Sequence, residues 1–392
     1  MTFPSPPLSD TQRAIVERAR TLARERFAAR AARYDAEASF PYENYADLHA
    51  AGLLALTVPS AYGGVGADSV TYVHALREIA KACSATGLTF NMHSTVTSFI
   101  AALATETQKR RYFGEIVGRG ARIASITSEP EQSFRDRFVL NTVFRPVDNG
   151  YHVTGVKQFC SLGDAADYYF VTGIVEGETR AMTGVISALV PSADAGVKIE
   201  GLWNATGMRG TISHTIRYDS FVAPDAVVGR PGELLTIDLS GFALGYAAVY
   251  LGIGEAAFEF MVEYAKTRAQ KPETTPMSHH PLVQRTIAEV GTTIRAAELL
   301  LHEAARLRDS GDKAATMLAV NQAKAYAADI GLRATEQALR LAGGRGILKD
   351  LPLERWHRDA LAGPVMPPSS DRCLETAGKL ICGLRAATLE FQ

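Results

Sequence analysis

The chain is short of cysteine, of net charge and of long apolar runs, and each shortage removes a class of protein. Four cysteines in 392 residues (Cys83, Cys160, Cys373 and Cys382) lie far apart, without CxxC spacing. That argues against zinc or a disulfide framework, and for reduced thiols in a cytoplasmic setting. Lysine and arginine number 41 against 42 aspartates and glutamates, a formal net charge of -1. No global field would therefore gather nucleic acid or an anionic membrane. No window offers the roughly 18 consecutive apolar residues of a membrane span. Met1 to Asp10 holds three prolines and no basic stretch leading into an apolar run, unlike a secretory signal. What remains, 47% hydrophobic and 21% charged, is an ordinary globular composition with room for two or three domains.

The pattern along the chain is helices, then strands, then helices. Ser9 and Gln12 have the spacing of a capping box, and Ile15, Ala19, Leu22 and Ala23 follow at helical intervals. A second helix is expected over Pro41 to Leu53, a Gly- and Pro-rich break at Val58 to Gly66, and helix again over Ser69 to Leu103. From Ala121 the segments become short and β-branched or aromatic: Ile123 to Ser128, Tyr151 to Thr154, Tyr168 to Thr172, Val185 to Val190 and Thr211 to Tyr218. These read as a mainly antiparallel sheet or small barrel. After Gly232 the helical period returns. Val283, Ile287, Val290, Ile294, Ala297, Leu301 and Ala304 form one apolar stripe, and a further helix from Lys313 to Leu341 stops at Gly343-Gly344. The expected division is 1–120, 121–231 and 232–392.

Five stretches, in order, resemble the acyl-CoA dehydrogenase superfamily of flavoproteins. They are Val58 to Gly66; Ser128-Glu129-Pro130; Gly155 to Ser161 through Ala166-Asp167; Gly207-Met208-Arg209-Gly210 through Ala223-Pro224; and Gly343 to Ala360. The resemblance implies an α+β multidomain fold: an N-terminal helical domain, a central antiparallel β domain and a C-terminal four-helix bundle. It also implies FAD as cofactor. Thr127, Ser128, Phe159 and Ser161 match positions that face the flavin ring, where hydroxyls and amides tune its electron affinity. Phe159 replaces the usual tryptophan; read by itself, it is a core aromatic of a β domain. Gly343 and Gly344 match a turn that meets the FAD of a neighbouring subunit, and otherwise they are a helix stop. Arg268 matches an arginine that reaches a pyrophosphate across a dimer interface, and alone would be a solvated surface charge. Ser369 stands where relatives carry a cofactor-binding threonine, and Arg340 where they carry a glutamine near the cofactor. These cross-subunit contacts imply a homodimer or homotetramer.

The catalytic carboxylate is missing. In the resembled dehydrogenases a glutamate removes the α-proton beside a thioester, from one of two places. Here the first is Pro367 and the second is Phe242-Ala243. Two consecutive prolines, Pro367 and Pro368, also remove two N–H donors. Asp238, four residues before Phe242, is the nearest acidic candidate for a relocated base, or else a loop or N-cap residue. His93 matches a histidine of many relatives and reads either as a proton donor or as a satisfied core residue. After Ser128-Glu129-Pro130 the usual Gly-Ser-Asp is replaced by Glu131 to Asp136, a bulkier acyl path. The first expectation is α,β-dehydrogenation of an acyl-CoA or carrier-bound acyl group, with electron-transfer flavoprotein or oxygen as acceptor. A flavin monooxygenase, a redox-neutral elimination such as desulfination, and a silent FAD-holding partner are the alternatives.

Overall fold

The computed structural model describes residues 6–130 and 140–385, so the Glu131 to Asp136 replacement lies outside the described residues. The first helix, α1 (Asp10–Leu22), starts on the expected capping box, with Gln12 N–H on Ser9 Oγ at 3.2 Å and Ser9 N–H on Gln12 Oε1 at 2.9 Å. A π-helical turn, Ala23–Phe27, leads into α2 (Ala28–Glu37), followed by α3 (Tyr42–Ala50). The long helix expected from Ser69 is two helices, α4 (Ser69–Ala82) and α5 (Ser84–Leu103), broken where Cys83 turns extended. The fold-back is tight. A Cβ placed on Gly87 would fall 2.6 Å from that of Ala80. The last helix before the sheet is α6 (Glu106–Arg119).

The sheet holds β1 (Ile123–Ile126), β2 (Val143–Val147), β3 (Gly150–Cys160), β4 (Tyr168–Val175), β5 (Val185–Pro191), β6 (Val197–Gly201) and β7 (His214–Val222), with a single turn α7 (Ala181–Gly184) before β5. Neighbours run β1-β4-β2-β3-β7-β6, and β5 pairs with β4. All pairings are antiparallel except β1 and β2 with β4, which share its one edge end to end. Strands β2 and β6 were not expected. Pro146 interrupts the first pattern, and Lys198 and Glu200 face outward on the second, so neither reads as an apolar run. The expected strand from Thr211 starts only at His214, because Arg209–Thr211 is a 3₁₀ turn between left-handed Met208 and Ile212.

The C-terminal part contains α8 (Gly241–Thr267), α9 (Pro281–Ser310) and α10 (Lys313–Ala342), then α11 (Leu353–Ala360), α12 (Ala362–Val365) and α13 (Ser370–Ile381). Helix α8 is long and apolar enough to cross a membrane by composition, yet it is the central helix, 78% buried over that window. Its close neighbours are set by small residues: a Cβ on Gly254 would sit 3.0 Å from Ile294 in α9 and 3.1 Å from Gly331 in α10. Arg77 on α4, 5% exposed, joins this bundle to the N-terminal helices through Glu298 at 2.7 Å and Glu255 at 3.4 Å. An N-terminal helical domain, a central curled sheet and a C-terminal helical region result, and a large cavity lies where they meet.

Candidate functional site

The cavity, about 1320 Å³, is lined by the ends of β1 and β3, the loops before β7 and α8, and the faces of α5, α8 and α10. Strand β1 ends at Ile126, so Thr127 and Ser128 emerge on the wall. They are fixed from behind by a buried ion pair. Lys157 Nζ, fully buried in β3, donates to Glu129 Oε1 at 2.7 Å and to Thr127 O at 3.1 Å. Glu129 also accepts from the amides of Asn141 and Thr142 at 2.5 and 2.9 Å. Burial alone would push the Glu129 carboxyl up, but Lys157 and these donors hold it below the ordinary value.

Strand β3 bulges between Lys157 and Cys160, and Phe159 there has φ +59°. The distortion turns its ring out: 54% exposed, edge-on to Trp203 with centroids 6.1 Å apart. The core-aromatic reading of Phe159 therefore fails. Ser161 Oγ lies 2.9 Å from Ser213 Oγ, which lies 2.7 Å from Thr211 Oγ1, a hydroxyl chain among residues of the cavity wall. The adjoining Met208 loop is anchored by Asp359, whose carboxylate accepts the Met208 amide at 2.6 Å. Burial pushes the Asp359 pKa up to about 6. Next to it Arg358 forks onto Asp35 at 2.8 and 2.6 Å, tying α11 to α2.

Away from these groups the wall is apolar. Phe99 packs edge-on to Phe242 at 5.5 Å and near Phe170 at 5.9 Å, with Tyr246 stacked beyond Phe242 at 6.5 Å. Pro367, Phe242 and Ala243, the two places where the resemblance puts a glutamate, all line the cavity. The floor carrying Pro367 is held by Lys324, fully buried on α10, which donates to Gly363 O at 2.9 Å and Met366 O at 3.0 Å. Ser369 is on the lining too, where its hydroxyl caps α13 by accepting the Arg372 amide at 3.3 Å.

Two expectations need correction. His93 is fully buried and absent from the lining. Its Nδ1 accepts the Ile123 amide at 3.1 Å, which fixes the tautomer so that Nε2 donates to Leu54 O, also at 3.1 Å. Burial pushes its pKa down to about 4. Neither nitrogen is left for a substrate, and His93 staples β1 to the loop after α3. Asp238 does line the cavity, but Oδ2 is 2.7 Å from Arg308 Nε and Oδ1 accepts the Ser240 amide at 2.9 Å. Burial would raise its pKa; Arg308 and Ser240 win and hold it low. A carboxylate held below its ordinary pKa by an arginine is a weak base.

Arg268, Gly343 and Gly344 lie off this cavity. Arg268 follows α8, its guanidinium 5.5 Å above the Tyr264 ring, and both glycines face open space. Arg340 is spent on Glu336 at 3.0 Å. Sequence reasoning missed Lys157, Glu129, Trp203, Ser213, Lys324 and Arg308. The signal for the first pair was present: a lysine in the middle of an apolar strand needs a buried partner.

These residues fit a flavin. Amides and hydroxyls gather at Thr127, Ser128 and Ser161, beside an outward-facing aromatic plate at Phe159, in a volume large enough for an isoalloxazine and a small substrate. Comparison with known proteins agrees. The sequence matches the acyl-CoA dehydrogenase N-terminal domain over residues 9–119, the middle domain over 124–221 and the C-terminal domain over 244–365. It is 30% identical over 349 residues to an acyl-CoA dehydrogenase of Bacillus subtilis, covering 87% of this chain and 90% of that one. It is equally 30% identical over 348 residues to a dibenzothiophene monooxygenase of Rhodococcus erythropolis, covering 83% of each. Butyryl-CoA dehydrogenase from Megasphaera elsdenii superposes with a TM-score of 0.89 at 24% identity, over 97% of this chain and all of that one. The chain belongs to the acyl-CoA dehydrogenase family and is a flavoenzyme of that type.

Proposed function

We propose that this protein is an FAD-dependent monooxygenase acting on a compact apolar substrate held among Phe99, Phe170, Phe242 and Tyr246. One observation carries the reading: both glutamate positions of the resembled dehydrogenases are on the cavity wall, and both are apolar. Oxygenation needs reduced flavin and oxygen, not a carboxylate. The bound flavin would supply the two electrons and the site of oxygen activation. Thr127, Ser128 and Ser161 would hold its polar edge, Phe159 and Trp203 would cover a ring face, and the aromatic wall would exclude water. Pro367 and Pro368 lack the amide protons that could polarise a thioester carbonyl, which also weakens the dehydrogenase reading.

A second reading is α,β-dehydrogenation of an acyl-CoA or carrier-bound acyl group. It is favoured by the similarity to the acyl-CoA dehydrogenase of Bacillus subtilis. One pair of experiments separates them. FAD-loaded protein mixed anaerobically with a panel of acyl-CoAs is expected to keep its oxidised-flavin absorbance. With reduced flavin in air, oxygen uptake is expected to rise when dibenzothiophene or indole is added. Anaerobic bleaching by any acyl-CoA would overturn the proposal and restore dehydrogenation.

A further inference from the structure

Among the described residues six non-glycine positions have positive φ. Ala38 caps α2, and Asn149 turns the hairpin of β2 and β3. The other four, Phe159, Leu162, Met208 and Ile212, lie on two facing loops that supply Phe159, Met208 and Thr211 to the cavity wall; the Leu162 amide joins the loops by donating to Thr211 O at 3.1 Å. Left-handed backbone at such residues costs free energy and persists only where the surroundings over-determine it. Met208 is held at both ends of its backbone. Its carbonyl accepts from Trp203 Nε1 at 3.0 Å and from Thr211 Oγ1 at 2.8 Å, and its amide donates to Asp359 Oδ1 at 2.6 Å. The loop lies flat on α11: a Cβ on Gly207 would fall 2.0 Å from Arg358 O. Trp203 is thereby tied at both of its N–H groups, since its amide donates to His214 Nδ1 at 2.9 Å.

Packing does not explain Asp359. It is 5% exposed, and among the described residues no cation stands within ion-pair distance of it; the neighbouring Arg358 is spent on Asp35 and Glu354. A buried carboxylate is costly unless its surroundings offset the cost. Burial raises its pKa, and the Met208 amide is foremost among the groups that oppose the rise, ahead of Ser84 on α5 and Arg355 on α11, while Asp35 on α2 adds to it. The charge is thus committed chiefly to one peptide, and that peptide seats the indole.

We propose that Asp359 is a positioning residue of the cavity: its carboxylate holds the Met208 peptide, the Met208 carbonyl holds the Trp203 indole, and the seated indole, edge-on to Phe159, is a preformed cover for a flavin ring face. This rests on the reading of Trp203 as such a cover. Asp359 is not on the cavity lining, so it acts through the backbone of the loop and not on the ligand.

Trp203 and Trp356 are the two tryptophans of the chain, so in a Trp356→Phe background the emission of the full-length, flavin-free protein reports on Trp203 alone. Asp359→Leu is expected to shift that emission to the red and to raise its quenching by acrylamide. Asp359→Asn, which keeps an acceptor of the same shape, is expected to stay close to the parent. In titrations followed by flavin fluorescence, Asp359→Leu should weaken FAD about 3- to 10-fold. It should add nothing to the loss caused by Trp203→Ala, because both act on one contact. Unchanged emission in Asp359→Leu, or full additivity with Trp203→Ala, would overturn the proposal. If the leucine variant does not fold, Asp359→Glu takes its place: the longer arm is expected to displace the Met208 peptide and shift the emission, and unchanged emission again overturns the proposal. A Trp203→Ala protein that binds FAD as tightly as its parent would overturn the cover, and the emission would still decide whether Asp359 seats Trp203.

Discussion

A general base needs an unblocked oxygen and a pKa near the working pH. Around this cavity Asp238 is clamped by Arg308, Glu375 is shared between Arg372 and Lys379 at 2.8 and 2.7 Å, and Asp371 stands in solvent at the first turn of α13. On the proposed monooxygenase reading, chemistry that begins with α-proton removal would have to be added by substitution. Phe242→Glu places a carboxylate on the lining in the first turn of α8, where the helix dipole favours its charge. The variant loses the packing of Phe242 on Phe99, a cost of about 1–3 kcal/mol. It is expected to gain anaerobic bleaching by butyryl-CoA that the wild type lacks. Failure to bleach in a folded, yellow variant would show that more than a base separates this site from a dehydrogenase. The contrast between Asp238 and His93 shows what a sequence alone leaves open. Both residue types suited proton transfer, but their neighbours Arg308, Leu54 and Ile123 lie 30 to 70 positions away and carry no local signature.

At the level of strands and loops, two buried lysines hold the cavity walls, and each has a distinct pH signature. Lys157 and Glu129 lock the end of β1 to β3. Removing either partner strands a charge, so Glu129→Gln or Lys157→Met is expected to cost about 3–5 kcal/mol at neutral pH by denaturant unfolding. The Glu129 carboxyl is depressed in the folded state, so its contribution is present above the unfolded value of 4.5 and is lost as pH falls through the lower folded value. The stability gap between the wild type and Glu129→Gln should therefore narrow below pH 4.5, and a constant gap would show that the pair is not what Gln disrupts. Lys324, under the Pro367 floor, gives a slope of the same sign at higher pH, but because burial disfavours its charged form. Burial pushes its pKa down to about 8 from 10.5. Between those values the unfolded chain binds more protons than the folded one, so stability rises with pH there. Relative to Lys324→Met, the wild type is expected to gain stability between pH 8 and 10.5, and parallel curves would show that burial does not lower the Lys324 pKa. Element types were largely readable because capping boxes, apolar stripes and β-branched runs are local. The strands β2 and β6 and the break at Cys83 were not, because strand pairing and the close approach of Gly87 to Ala80 are set by tertiary contacts.

For the whole molecule, the residues matched to FAD fall into two sets that one chain does not bring together. Thr127, Ser128, Phe159, Ser161 and Ser369 share the cavity, whereas Arg268, Gly343 and Gly344 are outside it. The exposed large aliphatics fall largely in the C-terminal part: Ile347 is 74% exposed, Val365 72%, Ile381 67%, Leu384 60% and Leu374 54%. Leaving so many in water from one 38-residue stretch, Ile347 to Leu384, is what an uncovered subunit interface looks like. A second copy seated on α13 and the turn after α10 would cover them and could bring its own Arg268 or Gly343-Gly344 to the first copy's cofactor, completing the site as a homodimer or homotetramer. The double substitution Leu374→Lys with Ile381→Lys adds two charges to that face without touching a buried position. It is expected to yield a monomer by light scattering that retains far less FAD per chain than the wild type after gel filtration. An assembled variant would place the interface elsewhere, and a monomer with full FAD content would show that a single chain holds the whole cofactor.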